Sequence, residues 1–386
     1  MIVHTIHVPI SANRFVAPLV SGLEREGLAC SLWVPDLESQ HKHFEDVRTK
    51  CRSNSIACDL VLSPFGILRN LRLLILAMRE HRPFVVHAHQ MRASLLPLLA
   101  ACLTRVPIRI YHNHGLPYLG YGGFKRVALR LLERLNIGLS THVIMVSPGN
   151  RQIARRDGLL HPQQGTIIGY GSAVGLKVSD WPSENFSETA QLEARKILEL
   201  SEGAFIVLFV GRPVARKGFI DLIEAWRVGS YAVRGGILLC AGFTIEEVAV
   251  AGITLPDGVR CLGMQLDLRS IYAACDILCL PSWHEGMSYA ILEASLSGRA
   301  IVATDIPGSR DVVLHGVTGL LTQPKCPSEI IHAMSQLECD RPLRIRMGRL
   351  GRRFVTRAFD QDFVVGQYVV WYRNLLGRYR HAESAK

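Results

Sequence analysis

The stretch AFIVLFVGRPVARKGFIDLIEAWRV (204–228) has three parts. Ala204 to Val210 are all apolar, the composition of a short strand covered on both faces. Gly211 to Lys217 then bring a glycine, a proline and the cations Arg212, Arg216 and Lys217, which end the strand. Near Lys217 a helix begins, with Phe219, Leu222, Ile223 and Trp226 at helical spacing. Strand, turn and helix in that order make a βα unit, the building block of a parallel sheet with helices on both faces.

The same rhythm runs outward in both directions. Upstream lie IVHTIHV, FVVHAH and IRIYHNH, each followed by a helical pattern, and then HVIMVS; downstream lie GGILLCAG, GVRCLG, DILCLP and RAIVAT. The fold class is therefore α/β, with two Rossmann-like doubly wound domains, as a chain of 386 residues exceeds one core's usual size. The first domain is expected over 1–177 and the second over 201–365. The polar VSDWPSENFSETAQ lies in a linker at 178–200, and a C-terminal helix at 366–380 packs back onto the first domain.

Composition excludes several classes. Hydrophobic residues make up 48% and charged residues 20%, enough apolar surface for an ordered globular protein. The net charge of +11 favours an anionic partner. Nucleic acid is not expected, since no basic patch is interleaved with aromatics. Cys102, Cys240, Cys275 and Cys279 sit in apolar runs and no Cys-x-x-Cys occurs, which points to reduced thiols in a cytoplasmic compartment. MIVHTIHVPI reads as a first strand, not a signal peptide, and LRLLILAM and SLLPLLAACL are too short to span a bilayer.

Ligands of open α/β sheets bind at the carboxyl ends of strands. In VGRPVARKGF, Gly211, Arg212 and Lys217 stand where a helix N-terminus adds its own positive potential, a place for a diphosphate. In PSWHEGMSYAILEA, Glu285 and Glu293 are spaced two helical turns apart and can accept from sugar hydroxyls, while the backbone of Gly286, Met287 and Ser288 opens the helix. IIGYGSAVG misses the spacing of the dinucleotide fingerprint, so NAD is not expected.

With ATDIPGSRDVVLHGVTGLL (303–321), these two motifs resemble the donor domain of family 4 glycosyltransferases over 205–322. VVHAHQMRASLL, RIYHNHGLPY and VSPGN resemble, more weakly, the acceptor domain of the subset that builds capsular and lipid-linked surface glycans. The resemblance implies a GT-B enzyme, its domains facing across a cleft, that retains anomeric configuration. Its donor is a nucleotide-sugar, expected to be a UDP-sugar, and its acceptor a lipid-linked glycan. Arg212 and Lys217 would neutralise the diphosphate, Glu285 contact the transferred sugar, Glu293 hold the ribose, and Gly263 and Met264 meet the base. His114, the histidine before a glycine, would face the donor sugar. A sugar-nucleotide 2-epimerase or a silent sugar-nucleotide binder are the alternatives. PISANRF (9–15) departs from the Gly-Gly pair that many relatives carry there.

No Asp-x-Asp follows an apolar strand; Asp360 and Asp362 read as a helix cap, so no metal or other cofactor is expected. His112 and His114, two apart on a strand, are expected to diverge, leaving His114 to serve. His87 and His89 repeat the pattern as strand-end residues, and no third ligand is visible for zinc. Finally, FKRVALRLLERL places Phe124, Val127, Leu131 and Leu135 in one stripe beside Lys125, Arg126, Arg130 and Arg134, against the single acid Glu133. Such a helix can lie on an anionic membrane surface, here the cytoplasmic face of an inner membrane, or can pack its stripe on the sheet.

Overall fold

The computed structural model describes residues 1–7, 11–35, 53–56 and 64–384. The chain divides into two compact units, Met1–Gly175 with Gln361–Lys386, and Leu176–Asp360.

In the first unit β1 (Ile2–Thr5), β2 (Cys30–Pro35), β3 (Ser53–Ile56), β4 (Val85–His89), β5 (Ile108–Asn113) and β6 (His142–Met145) form a parallel sheet of order β3-β2-β1-β4-β5-β6. Its helices are α1 (Ala17–Arg25), α2 (Pro64–His81), α3 (Met91–Leu103), α4 (Gly123–Leu139) and α5 (Pro148–Arg156). Strands β2 and β3 escape the sequence pattern, and β3, SNSI, carries too little apolar character to register as one.

The second unit contains α6 (Glu188–Ile197), β7 (Ile206–Val210), α7 (Phe219–Val228), β8 (Ile237–Ala241), α8 (Ile245–Val250), β9 (Val259–Cys261) and α9 (Arg269–Ala274). It continues through β10 (Ile277–Leu280), α10 (Tyr289–Leu296), β11 (Ala300–Thr304), β12 (Gly319–Thr322), α11 (Pro327–Cys339) and α12 (Arg341–Ala358). The sheet order β12-β11-β10-β7-β8-β9 repeats that of the first unit. In each sheet the order reverses beside the first strand, between β1 and β4 and between β7 and β10. A switch point of this kind opens a crevice at the strand ends.

The segment expected as a linker is part of the second unit. Trp181 stacks on Phe186 with ring centres 5.8 Å apart, and Arg195 of α6 is buried with its guanidinium 2.8 Å from Asp276. Arg195 also donates to the Ala274 and Ala204 carbonyls. Polar composition suggested solvent; a buried ion pair with satisfied donors holds the segment instead.

The last helix, α13 (Gln361–Ser384), belongs to the first unit, where Val365, Tyr368 and Tyr372 enter the core with Val16, Val20 and Leu23. Gly22 makes room for it, since a Cβ there would stand 2.4 Å from Val365 Cγ1. Asp360, just before α13, accepts from the Val178 N–H at 3.3 Å. Among the described residues, no helix is long and apolar enough to cross a membrane.

Candidate functional site

At the second unit's switch point the turns after β7 and β10 meet. Gly218 has φ +69°, and a Cβ there would come within 1.8 Å of the Pro281 carbonyl oxygen, so only glycine lets the basic turn close on the end of β10. That approach brings Lys217 Nζ to 2.6 Å from Glu285 Oε1, which also accepts from Ser282 Oγ at 2.7 Å. Burial pushes the Glu285 carboxyl up, but the Lys217 charge and the hydrogen bonds of Lys217 and Ser282 outweigh it and hold the group below its ordinary range. Glu285 is therefore ionised. Lys217 has three N–H donors, so the ion pair leaves capacity for a further anion.

Gly308, with φ +84°, packs the loop after β11 on the same turn; a Cβ would lie 2.3 Å from the Gly286 carbonyl oxygen. Met287 and Ser288 are buried, and Ser288 heads α10 without a side-chain cap. Glu293 is buried within α10 and accepts from Tyr272 Oη at 3.1 Å. Arg212 is exposed beside Gly211, whose N–H is bonded to the Ala241 carbonyl. Gly263 donates to the Phe243 carbonyl and accepts from Gly242, while Met264 is exposed. The structure thus gathers Lys217, Glu285 and Gly286, and sets Gly263 with Met264 beyond the end of β9.

In the first unit five histidines line up on one face of the sheet. His4 of β1 is in register with His87 of β4, and His89 with His112 of β5. The expected divergence of His112 and His114 is wrong: residues two apart on a strand share a face, and these rings lie 4.7 Å apart. His89 bridges His4 Nδ1 at 3.1 Å and His114 Nε2 at 3.3 Å. From α13, Tyr372 Oη meets His87 Nδ1 at 2.6 Å and Tyr368 Oη meets His112 Nε2 at 3.2 Å. Burial pushes every one of these imidazoles down, His4 to about 3 and His114 to about 4, so all are neutral at pH 7.

The intervening residues point the other way. Tyr111 and Asn113 both donate to Glu133 Oε2, at 2.7 and 3.1 Å, and Asn113 Oδ1 accepts from the Gly115 N–H at 2.8 Å. That network fixes the turn carrying His114.

Residues 204–340 match the family described as Glycosyl transferases group 1, and residues 12–171 match the Glycosyl transferase 4-like domain. The chain belongs to the family 4 glycosyltransferases. It is 27% identical over 320 residues to a capsular polysaccharide biosynthesis glycosyltransferase of Staphylococcus aureus, covering 81% of this chain and 82% of that one. A relative in Escherichia coli, named UDP-Gal:alpha-D-GlcNAc-diphosphoundecaprenol alpha-1,3-galactosyltransferase, is 24% identical over 81% of this chain and 79% of its own. Among solved structures, Anabaena HepE in complex with UDP-glucose superposes with a TM-score of 0.77 at 18% identity, covering 97% and 99% of the two chains. Both units of the glycosyltransferase thus have the parallel, Rossmann-like architecture of the GT-B class.

Several residues of this glycosyltransferase escaped the sequence. Gln90, between His89 and α3, holds φ +69° although it is not glycine, and its N–H donates to the His112 carbonyl at 3.1 Å. Such backbone costs about 1–3 kcal/mol and gathers at functional turns. Glu133 does not offset the basic helix, because it faces the core; the alternation Tyr111–His112–Asn113 is the signal that could have placed its partners. On α4, Phe124 is 86% exposed, and Val127, Leu131 and Leu135 are exposed too, so the apolar stripe does not pack on the sheet.

Proposed function

We propose that this glycosyltransferase moves a hexosyl or N-acetylhexosaminyl residue from a UDP-sugar to a hydroxyl of a lipid-linked glycan. It does so in surface polysaccharide biosynthesis, retaining anomeric configuration and using no metal ion. The observation that carries this is the Lys217–Glu285 pair at 2.6 Å, a cation and an ionised carboxylate at the mouth of a helix. Lys217 and Arg212 neutralise the diphosphate, assisted by the unpaired N–H groups at the start of α7. Glu285 accepts from the sugar, Glu293 from the ribose, and Met264 with Gly263 meets the base. The backbone of Gly286, Met287 and Ser288 contributes N–H donors, and His114 is assigned to the donor sugar.

The acceptor oxygen attacks the anomeric carbon from the face that the diphosphate leaves. The carbon–phosphate-oxygen bond breaks as the glycosidic bond forms, and the acceptor proton passes to the departing phosphate oxygen. Fixed cations in place of solvent stabilise the leaving charge, a term worth several kcal/mol.

The E. coli relative's name, with its UDP-galactose donor and diphosphoundecaprenol acceptor, supports both substrate classes. The α4 stripe supports attachment to the cytoplasmic face of the membrane that holds such a lipid. Val127, Arg130, Leu131 and Arg134 line a surface depression of about 280 Å³, apolar wall and guanidinium side by side. The test is incubation with a panel of nucleotide sugars and a short-chain lipid diphosphate saccharide, measuring nucleotide diphosphate release and the anomer formed. UDP release with an α-linked product is expected; no release from any UDP-sugar removes the proposal.

A further inference from the structure

We propose that His89, His112 and His114 form a site for one divalent transition-metal ion of the zinc class, with its fourth coordination position open. Their ligand atoms lie within 4.8 Å of one another. A metal lies in the plane of each imidazole it binds, so rings stacked face to face cannot share an ion, whereas inclined rings can. The His89–His114, His112–His114 and His89–His112 planes meet at 71°, 52° and 44°. The neighbouring group His4, His87 and His89 also brings its ligand atoms within 4.8 Å, but His89 stacks on His87 at 20° and on His4 at 24°. Stacked rings send their lone pairs along parallel lines instead of to one point.

One ligand–ligand distance agrees with this choice. His89 Nδ1 and His114 Nε2 are 3.3 Å apart. Zinc–nitrogen bonds of about 2.0–2.1 Å in a tetrahedron separate two ligand atoms by about 3.3–3.4 Å. The third ligand atom, His112 Nδ1, is buried without a partner, a state that polar atoms in protein interiors rarely occupy. The opposite nitrogens of the two buried ligands are already held, His89 Nε2 by His4 Nδ1 and His112 Nε2 by Tyr368 Oη. Metal-binding histidines need such outer partners to fix tautomer and ring orientation. His114, only half-buried, supplies the side from which an ion and its fourth ligand enter.

The site is not a cofactor site for sugar transfer. Resting on the assignment of His114 to the donor sugar, a bound ion withdraws that side chain, so zinc inhibits and a chelator restores activity.

The experiment titrates the chelator-stripped full chain with Co²⁺, reading the visible absorption of tetrahedral cobalt, and measures zinc retained after dialysis. One equivalent is expected, without a thiolate charge-transfer band. His114→Gln and His112→Gln should each weaken binding by about tenfold or more, the scale set by disturbing even an outer partner, while His87→Gln leaves it unchanged. Should His112→Gln fail to fold, the half-buried His114→Gln decides the matter. Absence of binding, a thiolate band, or loss with His87→Gln but not with His114→Gln overturns the proposal. Binding without inhibition leaves the metal site standing and removes His114 from sugar transfer.

Discussion

Lys217 Nζ lies 2.6 Å from Glu285 Oε1, joining the basic turn after β7 to the acidic turn after β10. Lys217→Ala and Arg212→Ala should each lower turnover by about a hundredfold, as for loss of one preorganised charge stabiliser. Arg212 is exposed, so its loss should cost little stability. Lys217→Ala strands a buried carboxylate and should lower the melting temperature, which Lys217→Met combined with Glu285→Gln recovers without recovering activity. Nucleotide diphosphate release and thermal melting read both effects. Full turnover in Lys217→Ala or Arg212→Ala would remove the diphosphate assignment.

Transfer should persist in excess EDTA, because two side-chain cations and a helix N-terminus carry the leaving charge. A strict requirement for Mg²⁺ or Mn²⁺ in the release assay would contradict this.

The exposed stripe of α4 should bind membranes through both its apolar and its basic residues. Each basic residue beside an anionic leaflet contributes roughly 1 kcal/mol, and Glu133 is turned into the core, where it offsets none of them. Sedimentation with anionic vesicles at low salt should carry the protein down, neutral vesicles or high salt should not, and Phe124→Ser with Leu131→Ser should weaken binding. Failure to bind anionic vesicles at low salt removes the membrane claim and leaves the transferase intact.

Stability should be greatest near pH 6.5. The buried histidines have pKa values lowered below the unfolded 6.5, so their contribution is present above that value and lost as pH falls towards about 4 and 3. Glu133 goes the other way: burial raises its carboxyl from 4.5 to about 8, so its contribution is present below 4.5 and lost as pH rises to about 8. Below 6.5 the histidines outnumber the two carboxylic acids that burial raises, Glu133 and Asp221, and stability falls with acid. Between 6.5 and 8 Glu133 acts alone, at about 1.4 kcal/mol per pH unit. Melting of metal-free protein across pH 4.5–8.5 checks both limbs, and Glu133→Gln should flatten the alkaline one. A flat profile in the unsubstituted protein contradicts the burial assigned to these groups.

The parallel architecture and the donor motifs were legible because apolar strands and turn residues are local signals. Lys217 and Glu285 stood out as charges beside strand ends, but their contact depends on Gly218 fitting against Pro281, which no local pattern encodes. The histidine cluster needed the register of three strands, with His4 contributed from β1 and His89 from β4. Arg195 misled in the opposite direction: a charge in a polar segment looks solvated, and its burial against Asp276, 81 positions further along the chain, appears only in the fold.

The placement of α13 has a consequence for biosynthesis on the ribosome. Tyr368 and Tyr372 complete a core that begins at Ile2, so the first unit cannot close until they have left the exit tunnel. The second unit, continuous from Leu176 to Asp360, is released whole before them. The half made first thus finishes folding last, and its histidine-lined strands wait with their apolar neighbours uncovered while the rest of the chain is translated.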